Sequence, residues 1–429
     1  MNKWKFGEPG MVQQAELVLR TLMNAGYEAY WVGGCVRDEL MGRPIHDMDI
    51  TTSAHPEEVV SLFERTVPTG IKHGTVTVLL DGYSFEVTTF RTESVYEQHR
   101  RPSSVSFVQD ITEDLKRRDF TMNAIALSLD GRWVDPFGGM EDIERGIIRC
   151  VGDADERFKE DALRMLRGVR FASVFHFNLA KSTWRAIIQH REFMNDIAME
   201  RIRVEMEKMM AGPHPLRGLE LLGRSRLLDL PKIGLSSANI DQSKVTMLDQ
   251  LPADKPSIRW AMLLFAAGLK SDEALSLLKR WTFSNVKAKE ISDILRMSEH
   301  IYTELPTLIE KPNKIALDEL RLLWIRQLLT YDEGTIHNWL VFERTKSSEH
   351  DPFMKLILDQ ALEWNEHVTV KHVKDLAVTG KEVLQELSIP AGPWLGNLLQ
   401  QLLFDVAAGQ VPNDKQQLLE QAKRVMNKL

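Results

Sequence analysis

The stretch GRPIHDMDITTSA (42–54) places two aspartates, Asp47 and Asp49, in what its apolar neighbours predict to be a buried strand. Side chains two residues apart on a strand point to the same face, so both carboxylates converge while Met48 and Ile50 turn into the core. Buried carboxylates that lie close together are costly unless a positive charge lies between them. Two oxygen donors on one rigid face suit Mg²⁺. A structural or solvated role is the alternative for this pattern taken alone.

The residues just upstream add a phosphate-binding pattern. WVGGCVRDEL (31–40) leads a predicted strand into Gly33 and Gly34 and then begins a helix. Glycine lets the main chain approach a phosphate closely, and amides at a helix start favour an anion. Arg37 adds a charged donor one turn later, and Glu86 is the candidate third carboxylate on a neighbouring strand. The combination predicts a triphosphate cradle beside a metal site.

Composition bounds the class of protein. The 429 residues are 43% apolar and 27% charged, with a net charge of −7, which is typical of a soluble globular chain and argues against wholesale coating of nucleic acid. The two cysteines, Cys35 and Cys150, suit a reducing compartment, so we expect a cytoplasmic protein. The N-terminus lacks a signal-peptide pattern, and the longest apolar run, WAMLLFAAGL (260–269), is about half the length that a membrane helix needs.

Secondary-structure signals divide the chain in two. Up to about residue 145, short β-like runs alternate with helical patterns, including a predicted helix over 55–66. Beyond about residue 153 the β signal nearly vanishes, and DERFKEDALRMLRGVRFASVF (155–175) predicts one long amphipathic helix. The predicted strands lie in EAYWVGG, DMDITT, GTVTVLL, SFEVTTF, SVSFV, AIALSL and RWVDP. An α+β head therefore precedes a long helical part.

Several ordered motifs together resemble one known family. GGCVRDELMGRPIHDMDITTSA closely resembles the signature of class II tRNA nucleotidyltransferases in the DNA polymerase β superfamily, which comprise CCA-adding enzymes, CC-adding and A-adding relatives, and bacterial poly(A) polymerases. Beyond residue 212 only the helical character matches. The resemblance continues through HGTVTVL (73–79), EVTTFRTE (86–93), RRPSSVSF (100–107), LKRRDFTMNAIAL (115–127), DPFGG (135–139), RFKEDALRMLRGVRFA (157–172) and ERIRVEMEK (200–208).

The resemblance implies a domain organisation. It predicts an α+β nucleotidyltransferase head, with a mixed β-sheet and helices, followed by an all-α neck, body and tail. The expected boundaries are 1–145 for the catalytic head, 146–212 for the neck with its nucleotide-template helix, 213–300 for the body and 301–429 for a tRNA-binding tail.

The resemblance also assigns roles in catalysis. It implies that Asp47 and Asp49 bind two Mg²⁺ ions. KRRDFTMNA looks like the family's nucleotide-sugar motif, so Arg118 is expected to contact phosphates and Asp119 to accept a hydrogen bond from the ribose 2′-hydroxyl. Asn123 is expected to fix the local geometry. Taken alone, this segment also fits an exposed charge run at the start of a helix.

EDALR (160–164) resembles the family's protein template for the incoming base. Asp161 and Arg164 lie three residues apart, which predicts that they share a helix face. Asp accepts and Arg donates, which matches the amino group and ring nitrogen of both cytosine and adenine, whereas uracil and guanine present the reversed pattern. Glu160 is expected to steady Arg164. An ordinary surface ion pair is the alternative reading of the same spacing.

Two further arginines continue that predicted helix. Each step of three residues drifts by roughly 60° around a helix, so Arg167 and Arg170 extend a basic strip toward the phosphates. The family likeness implies that both contact the nucleotide. Solvated arginines whose aliphatic stems cover the core are the alternative.

RTESVYEQHRRPSSVSF (91–107) looks like the family's flexible loop, which is linked to the change of specificity from C to A. Its intact length favours an enzyme that adds the terminal A, because CC-adding relatives have a shortened loop. The sequence departs from the family pattern at Gln98, where an acidic residue is usual, with Glu97 beside it. EHD (349–351) is isolated in a polar segment, so no metal-dependent phosphohydrolase module is expected.

These observations lead to a predicted activity. We expect addition of C, C and A to the tRNA 3′ end from CTP and ATP, without a nucleic-acid template and with release of pyrophosphate. The expected partners are the tRNA 3′ end, CTP and ATP, with no membrane and no DNA, and basic segments at 181–191 and 415–428 are candidates for RNA contact. The alternatives are a CC-adding or A-adding enzyme, a poly(A) polymerase, and an RNA-binding protein without catalysis.

Overall fold

A computed structural model describes residues 4–97, 101–308, 313–346 and 352–427. The chain divides into two compact units, Met1–Ala238 and Asn239–Leu429. The first unit holds the sheet and the second is helical, so the predicted succession of a mixed α+β head and an all-α remainder is confirmed. Among the described residues, no helix combines the length and the apolar character that a bilayer span requires.

A seven-stranded mixed sheet organises the first unit. Its strand order is β3-β4-β5-β2-β1-β8-β9, with β2 and β5 parallel and the other neighbouring pairs antiparallel. A separate antiparallel ribbon joins β6 and β7, and β10 pairs in parallel with β11. The strands are β1 (Ala29–Val32), β2 (Ile50–Thr52), β3 (Thr66–Gly70), β4 (Thr75–Leu80), β5 (Tyr83–Thr89), β6 (Arg91–Glu97), β7 (Arg101–Phe107), β8 (Ala126–Ser128), β9 (Trp133–Val134), β10 (Ile147–Ile148) and β11 (Asn178–Leu179).

Helices cover the sheet and continue to the C-terminus. Those of the first unit are α1 (Pro9–Asn24), α2 (Gly34–Leu40), α3 (Pro56–Leu62), α4 (Ile111–Lys116), α5 (Gly139–Glu144), α6 (Ala154–Glu160), α7 (Leu163–Phe175), α8 (Lys181–His190), α9 (Met199–Met210) and α10 (Pro215–Arg224). Those of the second unit are α11 (Gln242–Val245), α12 (Pro256–Ala266), α13 (Ser271–Arg280), α14 (Asn285–Glu304), α15 (Asn313–Thr330), α16 (Glu333–Thr345), α17 (Pro352–His367), α18 (Gly380–Leu387), α19 (Pro393–Ala407) and α20 (Lys415–Met426).

The side chains of β1 alternate between the two faces of the sheet, and those on both faces are apolar. Trp31 packs into the core cluster that includes the buried face of α1, whereas Tyr30 and Val32 join the cluster that includes Ile111 and Leu115 of α4. Successive side chains of a strand point to opposite faces, so a strand covered on both sides reads as continuously apolar.

The aspartate pair lies just before a strand rather than within it. β2 begins at Ile50, which pairs with Trp31, and β1 ends one residue later at Val32, where Gly33 turns the chain away at φ +74°. The Val32 N–H still donates to the Asp49 carbonyl at 3.0 Å. Met48 is buried, as is Ile50, while the Asp47 side chain is exposed. The predicted facing is therefore confirmed, and the predicted strand boundary is wrong.

The predicted long helix over 155–175 is interrupted. α6 ends at Glu160, Asp161 has an extended backbone (φ −136°, ψ 103°), and α7 begins at Leu163. The Asp161 carboxylate accepts from the Leu163 N–H at 3.1 Å, a local contact that competes with helix continuation. Asp161 and Arg164 therefore do not share the face of one continuous helix, and that expectation was wrong.

Other differences are smaller. The helix predicted over 55–66 is shorter, spanning α3 alone, and the expected loop over 91–107 is mostly the β6–β7 ribbon. Gln98 and the EHD segment (349–351) lie outside the described residues.

Candidate active site

A cleft of about 1460 Å³ in the first unit collects the polar residues singled out in the sequence. Carboxylates, glycines and arginines that are far apart in sequence line it together. All ten predicted site residues are among its lining: Gly34, Arg37, Asp47, Asp49, Arg118, Asp119, Asp161, Arg164, Arg167 and Arg170.

The two aspartates provide oxygen atoms that the protein itself does not use. Within the described part of the chain, neither the Asp47 nor the Asp49 carboxylate has a hydrogen-bond or ion-pair partner. The pKa of Asp49 is raised to about 6, mainly by burial and secondly by the negative charge of Asp47. The positive charge of Arg118 opposes this shift. A cation between two neighbouring carboxylates that have no protein partner stabilises their negative charges. The oxygen atoms of Asp47 and Asp49 therefore fit a divalent metal ion.

Glu86 lies on the same wall of the cleft, on β5 beside the start of β2. Its charge also raises the pKa of Asp49. The described residues nevertheless include no group of three or more His, Cys, Asp or Glu side chains arranged to hold one metal ion. A three-carboxylate cage including Glu86 is therefore not formed by the side chains as they stand.

The glycine turn brings Arg118 beside the aspartates. A Cβ atom added to Gly33 would lie 3.1 Å from Arg118 Nη1 and 3.8 Å from Asp49 Oδ2. The backbone of Gly33 (φ +74°, ψ −123°) is one that residues with a Cβ rarely adopt. Glycine is thus required here by conformation and by space.

We expect Gly33→Ala to raise the KM for nucleotide about tenfold and to lower the Tm by several degrees, because strained φ/ψ costs about 1–3 kcal/mol and the new methyl group pushes Arg118 aside. Steady-state kinetics and thermal unfolding measure both effects. Gly82→Ala is the matched control, because Gly82 has φ +85° and open space around its Cβ position. A control that raised KM equally would contradict the steric explanation.

Asp114 on α4 anchors two arginines of the cleft wall. Its fully buried carboxylate accepts from Arg117 Nε at 2.9 Å and Arg118 Nη2 at 3.4 Å. Burial alone would raise the pKa of Asp114, but the charges of Arg117 and Arg118 outweigh burial and lower it. Arg118 is therefore oriented from behind by Asp114, which the sequence analysis did not single out.

Asp119 lies deeper and is surrounded by donors. Its Oδ1 accepts from the Phe120 N–H (2.8 Å) and Asn123 Nδ2 (3.0 Å), and its Oδ2 accepts from Arg167 Nε (2.8 Å) and Nη2 (2.7 Å). Burial favours the neutral acid, yet Arg167 and Asn123 hold the pKa of Asp119 well below its usual range. Its acceptor positions are filled by protein donors, so a ribose hydroxyl could bind here only by replacing one of them.

Arg37 is held in place by several partners. It donates to both oxygens of Asp38 (3.0 and 2.9 Å) and to Asn123 Oδ1 (2.6 Å), and its guanidinium lies 4.8 Å from the centre of the Phe175 ring. Asn123 therefore joins Arg37 to Asp119, and its expected role in fixing local geometry stays a prediction. Arg37 lines the cleft as a paired charge.

Of the proposed template residues, Asp161 lies in the helix break and Arg164 lies in the first turn of α7. Arg164 donates to Glu160 and, through Nη2, to the Arg117 carbonyl at 2.9 Å. Asp161 Oδ2 accepts from Arg201 Nη2 at 2.8 Å. A carboxylate acceptor and a guanidinium donor thus face one cleft although the helix is interrupted between them.

The two remaining arginines of α7 are both tied to Glu205 of α9. Glu205 is buried, and its carboxylate pairs with Arg170 Nε and lies 3.7 Å from Arg167 Nη1. The Arg170 guanidinium also lies 3.9 Å from the centre of the Phe171 ring. These arginines are ordered components of the cleft wall, not solvated surface charges.

Sequence reasoning missed several residues of the cleft although it quoted the motifs that contain them. Arg117 belongs to LKRRDFTMNAIAL, and Arg201 and Lys208 belong to ERIRVEMEK. His46 and Asp38 are neighbours in sequence of residues that were named. The motifs could therefore have pointed to these residues, but the sequence did not show which charged side chains within a motif face the cleft.

Fold and cleft together define a class. A mixed sheet that presents two unpartnered aspartates beside a glycine turn, opposite an arginine-rich helix, is a nucleotidyltransferase arrangement. Residues 29–149 match the profile described as Poly A polymerase head domain, and residues 253–422 match a profile for domain 2 of tRNA nucleotidyltransferases.

Comparisons over the whole chain define the family. The chain is 40% identical over 409 residues to the CCA-adding enzyme of Geobacillus thermodenitrificans, covering 95% of each chain, and 35% identical over 419 residues to that of Limosilactobacillus reuteri, covering 97% of this chain and 98% of the relative. A crystal structure of the Bacillus stearothermophilus CCA-adding enzyme in complex with CTP is 35% identical, covers 98% of both chains and has a TM-score of 0.79. The chain belongs to the CCA-adding enzyme family of template-independent nucleotidyltransferases.

Proposed function

We propose that the chain adds C, C and A to the 3′ end of tRNA, using CTP and ATP and releasing pyrophosphate, without a nucleic-acid template. The observation that carries this proposal is that the two unpartnered aspartates and the Asp161–Arg164 pair line one cleft. Similarity over nearly the full chain to CCA-adding enzymes supports complete CCA addition over a CC-adding or A-adding enzyme or a poly(A) polymerase. Intact acids in the cleft disfavour an RNA-binding protein without catalysis.

Nucleotidyltransferases of this family generally use divalent metal ions, and we propose Mg²⁺ held by Asp47 and Asp49. Hard oxygen donors without protein partners suit this ion, whose remaining positions are commonly filled by water and substrate phosphates. When bound, Mg²⁺ lowers the pKa of the RNA 3′-hydroxyl and neutralises charge on the triphosphate. The protein itself holds the carboxylates of Asp47 and Asp49 beside the turn at Gly33 and Gly34.

The cleft wall supplies the contacts to triphosphate and sugar. Gly33 and Gly34 leave the main chain open to close approach by a phosphate, and Arg118, oriented by Asp114, supplies positive charge beside Asp49. We assign Asp119 to the ribose 2′-hydroxyl, which replaces one of its present donors. Arg167 and Arg170 complete the basic side of the cleft, and positioning with charge neutralisation suffices for in-line attack.

Base choice falls to Asp161 and Arg164. The carboxylate accepts from the amino group that cytosine and adenine share, and the guanidinium donates to the adjacent ring nitrogen. Uracil and guanine would place donor against donor and acceptor against acceptor. A polar site that leaves such groups unpaired rejects the wrong ligand strongly. Cytosine and adenine share this edge, so a site complementary to it accepts both CTP and ATP.

We propose the divisions set out above, with a catalytic head over 1–145 followed by a neck over 146–212, a body over 213–300 and a tail over 301–429, and we assign tRNA binding to the tail. Parts of the basic segments are occupied by ion pairs; Lys415 of α20, for example, pairs with Glu382. RNA contact there would use the lysine and arginine side chains outside such ion pairs, and it would recognise the RNA backbone and its 2′-hydroxyl groups. We also propose that the protein works in the cytoplasm, which suits its buried, unpaired Cys35 and Cys150.

An end-point assay tests the activity. A tRNA transcript ending at the discriminator base is incubated with the protein, Mg²⁺ and all four nucleoside triphosphates, and the 3′ termini are sequenced. We expect C, C and A on most molecules, because the cleft matches C and A and opposes U and G. Products ending in CC, single A additions or long A tracts would each contradict complete CCA addition and identify the corresponding alternative.

A further inference from the structure

A short segment near the start of the chain, residues 4–7, crosses the loop that leads from α2 to the two aspartates. The Ile45 N–H donates to the Phe6 carbonyl at 3.1 Å, and an isolated parallel bridge joins the two segments here. Ile45 lies two residues before Asp47. Earlier in the same loop, the N–H groups of residues 41–43 donate back to the end of α2. Ile45 therefore connects the approach to Asp47 with a part of the chain that is distant in sequence.

Glu39, in the last turn of α2, binds this segment through the main chain. Its Oε1 accepts from the Lys5 N–H at 2.9 Å, and its Oε2 accepts from the Phe6 N–H at 3.1 Å. Hydrogen bonds to an ionised carboxylate are stronger than those between neutral groups. A Cβ atom added to Gly42 would lie 3.3 Å from Phe6 Cζ, so the Phe6 ring also contacts the loop. Glu39 thus holds the segment against the loop.

Trp4 anchors the same segment in the core of the first unit. Its side chain is 2% exposed, and its ring centre lies 5.2 Å from that of Trp31 in an edge-to-face arrangement. The core cluster that contains both rings also contains Met48, which lies between the two aspartates. Burial of a large aromatic side chain and an edge-to-face contact both resist displacement. The segment is therefore a fixed support for the loop beside it.

We propose that Glu39 is a positioning residue for Asp47, acting through the segment 4–7 and the loop 41–46. This inference rests on the proposed function, because it presumes that Asp47 and Asp49 hold Mg²⁺. Glu39 lies outside the lining of the cleft, so it acts on the aspartates through the main chain. Mg²⁺ demands a nearly ideal octahedral arrangement of oxygen atoms. A small displacement of one carboxylate therefore weakens its binding.

The two aspartates are restrained in different ways. The sheet restrains Asp49 directly, because the Val32 N–H donates to the Asp49 carbonyl at 3.0 Å. Asp47 comes before the sheet and is exposed. On its upstream side, the hydrogen bond of Ile45 to the segment 4–7 is the restraint. We therefore expect a loosened segment to shift Asp47 relative to Asp49.

Alanine and glutamine at position 39 test the proposal in the full-length protein. Glu39→Ala removes both acceptors, whereas Glu39→Gln keeps one acceptor without the charge. The first measurement is hydrogen exchange of the metal-free protein, in which the amides of residues 41–46 are expected to exchange about tenfold faster in Glu39→Ala.

The second measurement is the free Mg²⁺ concentration that gives half-maximal incorporation of CTP at a saturating CTP concentration. In Glu39→Ala this concentration is expected to rise about tenfold, while kcat at saturating Mg²⁺ stays within about twofold of wild type. Glu39→Gln is expected to lie between wild type and Glu39→Ala in both measurements, because it keeps part of the contact.

Glu58→Ala is the matched control. The Glu58 carboxylate also accepts from a main-chain N–H, that of His55 at 2.7 Å, at the start of α3. Its replacement removes a comparable contact from the same unit without touching the support of the loop 41–46. Both measurements are expected to stay within about twofold of wild type, because independent sites do not couple. Thermal unfolding records the stability that each variant loses.

The two measurements distinguish the possible failures. Faster exchange of residues 41–46 with an unchanged Mg²⁺ requirement rejects the role of Glu39 and leaves the aspartates as the proposed metal site. Unchanged exchange in Glu39→Ala shows that Glu39 does not hold the loop, which overturns the inference as well. Wild-type incorporation that needs no divalent cation rejects the proposed metal site, and the inference fails with it.

Discussion

Replacing Asp49 by asparagine is expected to lower nucleotide incorporation by about 10³-fold or more while leaving tRNA affinity within about twofold. The amide keeps the size of the side chain but removes a charge that has no partner among the described residues. Two consequences follow. The cleft loses half of the carboxylate pair that we propose as the metal site, and Arg118 faces one anion fewer, so we expect the 3′-hydroxyl and the triphosphate to be held together less well.

Single-turnover incorporation of CTP and a separate tRNA-binding titration measure these two quantities. Glu57→Gln, which removes an exposed charge on α3 away from the cleft, is the matched control and is expected to behave as wild type. Incorporation at the wild-type rate in Asp49→Asn would remove the metal assignment. Loss of tRNA binding equal to the loss of incorporation would instead show that Asp49 acts on the RNA.

Much of this site could be predicted because its residues come in short local patterns. A two-residue period is enough to place Asp47 and Asp49 on one face, and the alternating burial of Met48 and Ile50 confirms it. All the predicted strands appear, because each has its own apolar run bounded by turn residues. β3 was missed because Thr66–Gly70 is mostly exposed and carries little apolar signal.

Other features depend on which polar groups pair with each other, and apolar periodicity and motif likeness do not predict this. At the break, the Asp161 side chain accepts from the Leu163 N–H, whereas apolar periodicity continues through the break. The pairing of Arg201 with Asp161 joins residues forty positions apart. Asp114 lies three and four residues before Arg117 and Arg118, a spacing at which helix side chains meet, but in a run of charges this spacing does not show which of them pair. Sequence patterns thus predict which residues belong to the cleft better than they predict which charges pair.

Arg164→Ala is expected to relax base choice more than it slows catalysis. We expect the preference for CTP over UTP, as a ratio of kcat/KM, to fall about 100-fold, while kcat for CTP falls about tenfold. Arg164 is the donor of the proposed pair, and its guanidinium is fixed by Glu160 and the Arg117 carbonyl at 2.9 Å. Without this donor, the uracil ring N–H no longer faces another donor, so this part of the penalty against UTP is lost, while the Asp161 carboxylate still opposes the uracil carbonyl.

Arg157→Ala provides the matched control. Arg157 pairs with the same carboxylate, Glu160, and does not line the cleft. Removing it therefore disturbs the same ion-pair cluster without removing a group that faces the base, and the CTP-over-UTP ratio is expected to stay within about twofold of wild type. If both variants kept wild-type selectivity, the base would have to be chosen elsewhere. If both lost it equally, the order of the cluster, and not a donor at position 164, would govern the choice between C and U.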